Sequence, residues 1–325
     1  MAKYADSWLQ LEAAAGGRAV FQGTVSEIRA QFAGLFTAVS QWYPPASDAV
    51  HVTDGAINDV PYRVYTPSPS NATGARPIGV FMHGGGYIMG DLETEDLLCR
   101  TFSEQSNTII VSVDYRLAPE HKSSAQLRDT MTVLAWVHGN ASSLGANGSQ
   151  LYTMGTSAGA TLALLATREI VSGRSTVPAG SLRGVVAVSP ITVHPDNVPM
   201  KFQAGYNSYT EFATGAPAIT GDTMLEFFLH AGQAPDDVNA FLLLDQESLR
   251  RFPPVYISTA ECDVLRDDGR VLVAALNEVG VSVREDILRG IPHAFWFFNT
   301  LPEWSLFAKN TVAGIRWVID GKDSL

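Results

Sequence analysis

Apolar positions along this 325-residue chain repeat at two different periods. Over residues 4–15 and 25–41 the spacing is helical. In "SEIRAQFAGLFTAVSQW", Ile28, Phe32, Leu35, Phe36 and Val39 share one face. From about residue 50 the runs shorten. "VPYRVYTP", "IGVFMH", "TIIVSVDY", "LYTMG", "GVVAVSP", "PVYISTA" and "VSVREDI" are bounded by Gly, Pro or polar residues, which reads as strands. Helical patterns separate several of them: "SAQLRDTMTVLAWVHG", "AGATLALLATREIVSG", "DDGRVLVAALNEVG" and "PEWSLFAKNTVAGIRWVID". Nearly all-apolar strands alternating with helices predict an α/β fold, with a mostly parallel sheet covered on both faces.

Residues 193–250 break the alternation. They are aromatic, dotted with Gly and Pro, and carry no strand pattern. Such an insertion in a sheet fold is expected to form a lid over a site, with an ordinary surface excursion as the plainer reading. The N-terminal helical pair would pack beside it. The expected division is therefore residues 1–45 as N-terminal cap helices, 46–192 and 251–325 as the catalytic domain, and 193–250 as a cap insertion.

Composition narrows the class. Hydrophobic residues at 46% and charged residues at 17% suit a sizeable core. A net charge of −11 speaks against nucleic acid or an anionic membrane as partner. Cys99 and Cys262 are far apart without CxxC spacing, so buried free thiols are expected rather than a zinc site or a disulfide framework. "MAKYADSWLQLEAAAGG" carries Asp6 and Glu12 and lacks the apolar run of a signal peptide. No stretch reaches the roughly 18–20 apolar residues of a membrane span. Sequons starting at Asn71, Asn140 and Asn147 read as chance matches, and the terminal "DSL" as no address signal, so a cytoplasmic location is expected.

Two glycine-bearing motifs carry the chemistry. "GTSAG" (155–159) is a G-x-S-x-G pentapeptide between the apolar "LYTM" and a helical pattern. A strand turning sharply into a helix exposes the hydroxyl of Ser157, while Gly155 and Gly159 admit close backbone. A helix N-terminus adds unpaired N–H groups. The competing reading makes Ser157 a helix cap. "HGGG" (83–86) follows another apolar run. Acyl transfer turns a carbonyl into an oxyanion that needs preorganised N–H donors within ~3 Å, and bare backbone lets them converge. Gly85, Gly86 and Ala158 are the candidate donors. Gly84 extends the loop and His83 braces it. A phosphate cradle fits poorly, because the Walker lysine and the G-x-G-x-x-G spacing are missing.

A serine needs a base and the base an orienting partner. Of seven histidines, His293 in "LRGIPHAFWFF" alone follows a late strand pattern and precedes the last helix, in the order Ser, acid, His. A lone histidine beside aromatics is otherwise a packed core residue. "PVYISTAECDVLRDDG" offers Glu261, Asp263, Asp267 and Asp268. Asp263, just past the strand end, is the expected acid, with Asp267 second; Asp267 and Asp268 suit the first turn of a helix. No metal motif appears and no cofactor is expected.

"HGGGYIMGD", "VSVDYRLAPEHK", "GTSAGA", "CDVLRDDG" and "GIPHAFW" occur in order within residues 77–318. In these the chain resembles the hormone-sensitive-lipase-like (family IV) esterases of the α/β-hydrolase superfamily, in the branch with Thr before the serine. It looks most like fungal intracellular members, including the versiconal hemiacetal acetate esterase type.

The resemblance implies an eight-stranded, mostly parallel sheet with a helical cap. It implies a triad of Ser157, Asp263 and His293, and an oxyanion hole of Gly85, Gly86 and Ala158. Asp114, Tyr115, Arg116, Pro119 and Glu120 become a structural segment beneath the site. Val264 and Ala294 depart from the Pro and Gly usual there, and Ser123 and Ser124 from the usual "FPA". The expected activity is hydrolysis of short- to medium-chain acyl esters of small molecules; acyl transfer, elimination or a non-catalytic receptor are the rivals. Tyr87, Phe202, Tyr206, Phe212, Phe228 and Phe295 are the expected pocket wall, from a set that also holds Tyr209, Phe227 and Trp296. A homodimer is compatible with this reading.

Overall fold

In the computed structural model, residues 3–68 and 74–321 are described; the Asn71 sequon and the terminal "DSL" lie outside them. The chain begins with α1 (Asp6–Ala14), α2 (Val25–Ser40), β1 (Val50–Ile57), β2 (Val60–Pro67), β3 (Arg76–Met82), α3 (Asp96–Ser106) and β4 (Ile109–Val113). It continues through α4 (Ser123–Asn140), β5 (Ala146–Thr156), α5 (Ala158–Val171) and β6 (Leu182–Val188). The inserted stretch holds α6 (Met200–Gln203), α7 (Ser208–Glu211), α8 (Gly221–Ala231) and α9 (Gln246–Leu249). The chain closes with β7 (Val255–Cys262), α10 (Arg266–Glu278), β8 (Val283–Pro292) and α11 (Pro302–Asp320).

Eight strands form one sheet in the order β1-β2-β4-β3-β5-β6-β7-β8. β2 is antiparallel to both neighbours, and every pair from β4 to β8 is parallel. The seven apolar runs leave out β1. Its middle is Thr53, Asp54 and Gly55, and its residues alternate between exposed and half-buried at the sheet edge, where an all-apolar run is not required. β4 is buried at every position. α3 packs on α11 and α4 on α5, which covers the sheet.

α2 starts at a capping box: Thr24 N–H donates to Glu27 Oε2 at 2.8 Å, and Glu27 N–H to Thr24 Oγ1 at 3.4 Å. Its Ile28, Phe32 and Val39 are buried. Each such side chain contributes about 1.5–3 kcal/mol on burial.

No strand of the sheet falls in residues 193–250. One bridge joins Val20 to Ala218, with Phe21 N–H donating to Ala218 O at 3.0 Å and Ala218 N–H to Ala19 O at 2.8 Å. The N-terminal segment and the insertion are thus stitched together. The root of the insertion is held by the first turn of α10. Asp267 Oδ2 accepts from the backbone N–H of Asn207 at 2.7 Å and of Ser208 at 2.8 Å. Asp268 accepts from Thr192 N–H and Tyr206 Oη, both at 2.7 Å.

Candidate active site

Three chemical groups converge at the C-terminal edge of the parallel strands, where open α/β sheets place their sites. Ser157 lies between β5 and α5, Asp263 directly follows β7, and His293 directly follows β8. His293 Nδ1–H donates to Asp263 Oδ2 at 2.8 Å, since an ionised carboxylate only accepts. That tautomer leaves Nε2 bare, and it takes the Ser157 hydroxyl at 2.9 Å. Asp263 Oδ1 is occupied by the Leu265 N–H at 2.8 Å, which fixes the carboxylate plane. All three side chains are buried, Ser157 at 3% exposure.

Ser157 sits at φ 52°, ψ −123°, outside the regions L-residues prefer. Such strain costs on the order of 1–3 kcal/mol and persists only where the surroundings enforce it. Here Ser157 N–H donates to Val188 O at 2.7 Å. A Cβ on Gly159 would stand 2.0 Å from Met82 O, so the turn fits against β3 only with glycine there.

The glycine loop follows β3, next to β5 in the sheet. Gly85 has φ 123° and Gly86 φ 59°, both left-handed, and a Cβ on Gly85 would meet Met89 O at 2.0 Å. Gly84, Gly85, Gly86, Ser157 and His293 border one cleft, and Ala158 is the first residue of α5. His83 lies against the loop. Its Nδ1–H donates to Gly84 O at 2.7 Å, its ring stacks on Tyr115 at 4.2 Å, and burial lowers its pKa to about 4, which keeps it neutral.

The segment beneath the site is structural. Tyr115 Oη donates to His83 O at 2.7 Å, Arg116 pairs with Asp129, and Arg29 of α2 pairs with Glu120. Asp267, second in line as catalytic acid, binds Arg266 and the insertion's backbone instead. Burial raises Asp268 to about 7. Ala294 stands at φ 62°, which is why glycine would be the easier residue there.

The expected pocket wall needs correction. The cleft is narrow, with a cavity volume of about 20 Å³, and is walled by Phe21, Phe32, Met89, Met224, Phe227, Trp296 and Phe297 among others. Tyr87, Phe202, Tyr206, Phe212, Phe228 and Phe295 are not in that wall. Tyr206 is spent on Asp268, while Phe228 packs on His194 and Phe241. Phe295 turns towards Phe307, and Arg266 lies over Phe212 and Lys201 over Phe202. Adjacent helical residues point about 100° apart, so Phe227 faces the cleft and Phe228 the core. A larger groove of about 630 Å³, bordered by Arg128, Arg174 and Asp237, contains none of Ser157, Asp263 and His293.

Sequence reasoning also missed Glu95. It is buried at 3% exposure and accepts from Thr156 Oγ1 at 2.7 Å and Trp296 Nε1 at 2.8 Å. In "GDLETED" nothing separates it from three neighbouring acids.

The sheet order, the strained serine turn and the serine–histidine–aspartate chain define an α/β hydrolase. A family model of the alpha/beta hydrolase fold matches residues 79–297, and the chain belongs to that family, in its hormone-sensitive-lipase-like branch. Over 317 residues it is 40% identical to the versiconal hemiacetal acetate esterase of Dothistroma septosporum, covering 98% of this chain and 95% of that one. It is 35% identical to the versiconal hemiacetal acetate esterase of Aspergillus parasiticus, over 89% of this chain and 88% of the relative. The solved structure of vibralactone cyclase superposes with a TM-score of 0.88 at 26% identity, covering 98% and 96% of the two chains. The protein is a carboxylic ester hydrolase. Among the described residues no helix is long and apolar enough to cross a membrane, and no group of three or more His, Cys, Asp or Glu could hold a metal ion.

Proposed function

We propose that Ser157 attacks the ester carbonyl while His293 takes its proton and Asp263 holds the imidazole. The alcohol leaves with that proton, and water, activated by the same histidine, hydrolyses the acyl-enzyme. The backbone N–H groups of Gly85, Gly86 and Ala158 receive the oxyanion. The unbroken chain from Ser157 Oγ through His293 to Asp263, at 2.9 and 2.8 Å, carries this reading.

Residues 1–45 and 193–250 act as a cap over the catalytic domain of 46–192 and 251–325. Phe21 and Phe32 from the first piece and Phe227 from the second roof the cleft. The apolar lining of this narrow cleft favours short- to medium-chain acyl esters, which need the roof to shift only a little to enter. By likeness to the versiconal hemiacetal acetate esterases, an acetate ester is the natural candidate. The enzyme works in the cytoplasm, needs no cofactor or nucleic acid, and is compatible with a homodimer.

Nitrophenyl esters from C2 to C12, hydrolysed by wild type and Ser157→Ala, test this reading. Activity on short chains that vanishes in the mutant supports it; two folded and equally inert proteins overturn it. Likeness to a cyclase makes an alcohol acceptor worth adding, because transfer and hydrolysis differ only in which nucleophile reaches the acyl-enzyme.

A further inference from the structure

Three segments must keep their places for acyl transfer: the glycine loop after β3, the turn carrying Ser157, and the loop carrying His293. Glu95, the residue before α3, touches all three. Thr156, whose Oγ1 lies 2.7 Å from Oε1 and 2.8 Å from Oε2, immediately precedes Ser157. Trp296, whose Nε1–H donates to Oε1 at 2.8 Å, follows His293 by three residues, and its ring lies edge-on to the imidazole at 5.0 Å. The glycine loop packs against the carboxyl, so that a Cβ on Gly84 would stand 3.4 Å from Glu95 Oε1, and burial raises the carboxyl's pKa to about 7.

A buried carboxyl whose partners are all neutral is a poor choice for stability, since desolvating its charge is unfavourable. An apolar residue of similar volume on a repacked site would be the stable solution. What a carboxylate offers is one-sidedness. Once ionised, above about pH 7, it only accepts, and the Thr156 hydroxyl and the Trp296 N–H both donate to it. A glutamine keeps one acceptor oxygen, so its NH₂ must face the Trp296 N–H or force the Thr156 hydroxyl to accept rather than donate.

We propose that Glu95 is a positioning residue of the acyl-transfer site, an acceptor-only pin that holds the oxyanion loop, the nucleophile turn and the histidine loop in register. This rests on the reading of Ser157 as nucleophile. Glu95 touches no reacting atom, so its removal should weaken transition-state stabilisation and leave ground-state binding intact.

The test is p-nitrophenyl acetate hydrolysis by wild type, Ser157→Ala, Glu95→Gln, Thr156→Val and the Glu95→Gln/Thr156→Val double variant, with thermal melts of each. Glu95→Gln is expected to lower kcat about 10-fold or more with KM within about twofold and no loss of melting temperature at pH 8. Thr156→Val should do the same in smaller measure, and the double variant should fall no further than Glu95→Gln alone. A Glu95→Gln enzyme with wild-type kcat, or losses that multiply in the double variant, would overturn the pin. If Glu95→Gln fails to fold, Thr156→Val decides alone: reduced kcat at constant KM supports the proposal, and unchanged kcat sinks it. An inert wild type, by contrast, would indict the nucleophile reading itself.

Discussion

The rim of the sheet and the cap above it were built under different constraints. At the rim, each proposed reacting group is the first residue after a strand: Ser157 after β5, Asp263 after β7, His293 after β8. Their place at the strand ends sets their direction, and contacts such as Ser157 N–H to Val188 O hold it. The roof has no such frame. Phe21 and Phe32 meet Met224 and Phe227 across some two hundred residues of sequence, and one bridge at Val20 and Ala218 aligns the two pieces. On the proposed reading, chemistry sits on the sheet and selectivity on the helices above it.

Variants on the rim should break catalysis outright. Ser157→Ala is expected to lose on the order of 10⁶ in kcat, and Asp263→Asn about 10⁴, because an amide in that position disturbs the tautomer of His293. Where rim and roof touch, the effect should be intermediate. A Cβ at Gly86 would stand 2.1 Å from Phe227 Cδ2. Gly86→Ala should displace the oxyanion loop and cost roughly 10² to 10³ in kcat. Gly86→Ala/Phe227→Leu should regain part of that, which single-turnover kinetics would reveal.

In the roof, Phe32→Leu should shift the ester chain-length profile towards longer acyl groups with little change in kcat for acetate. Comparing kcat/KM for C2 and C8 esters reads this directly. Ala294→Gly should be smallest, a gain of about 1 kcal/mol in a denaturant melt, since it releases a left-handed alanine at φ 62°.

This contrast also explains what could be read from the sequence. The motifs sit within a few residues of strand ends, so "GTSAG", "HGGG", Asp263 and His293 were legible, as were seven strands and the helices flanking them. β1 was not, because an edge strand tolerates Thr53, Asp54 and Gly55. Phe227 and Phe228, or Phe295 and Trp296, are equally aromatic in sequence; only the packing of their helix or turn decides which ring enters the cleft. Glu95 was hidden for a related reason. Its partners Gly84, Thr156 and Trp296 come from three separate segments.

Glu95 also couples the site to pH. With its folded pKa raised from 4.5 to about 7, the folded protein keeps a proton that the unfolded chain releases. Its contribution to stability is therefore best at acid pH and declines as pH rises from about 5 to 7. The groups nearest its charge, Tyr43, Cys99 and Tyr115, are all pushed up by burial and stay neutral throughout this range. Denaturant melts of wild type and Glu95→Gln should thus diverge against the wild type between pH 5 and 8. A pH-independent difference would contradict that assignment.

The most direct test of Ser157 as nucleophile is covalent capture. Incubation with diethyl p-nitrophenyl phosphate, followed by intact-mass and peptide mass spectrometry, should give one diethylphosphoryl group per chain. It should lie on the peptide containing Ser157, with one equivalent of nitrophenol released and activity lost in parallel. An unmodified, still active enzyme, or a label on another residue, would contradict the account.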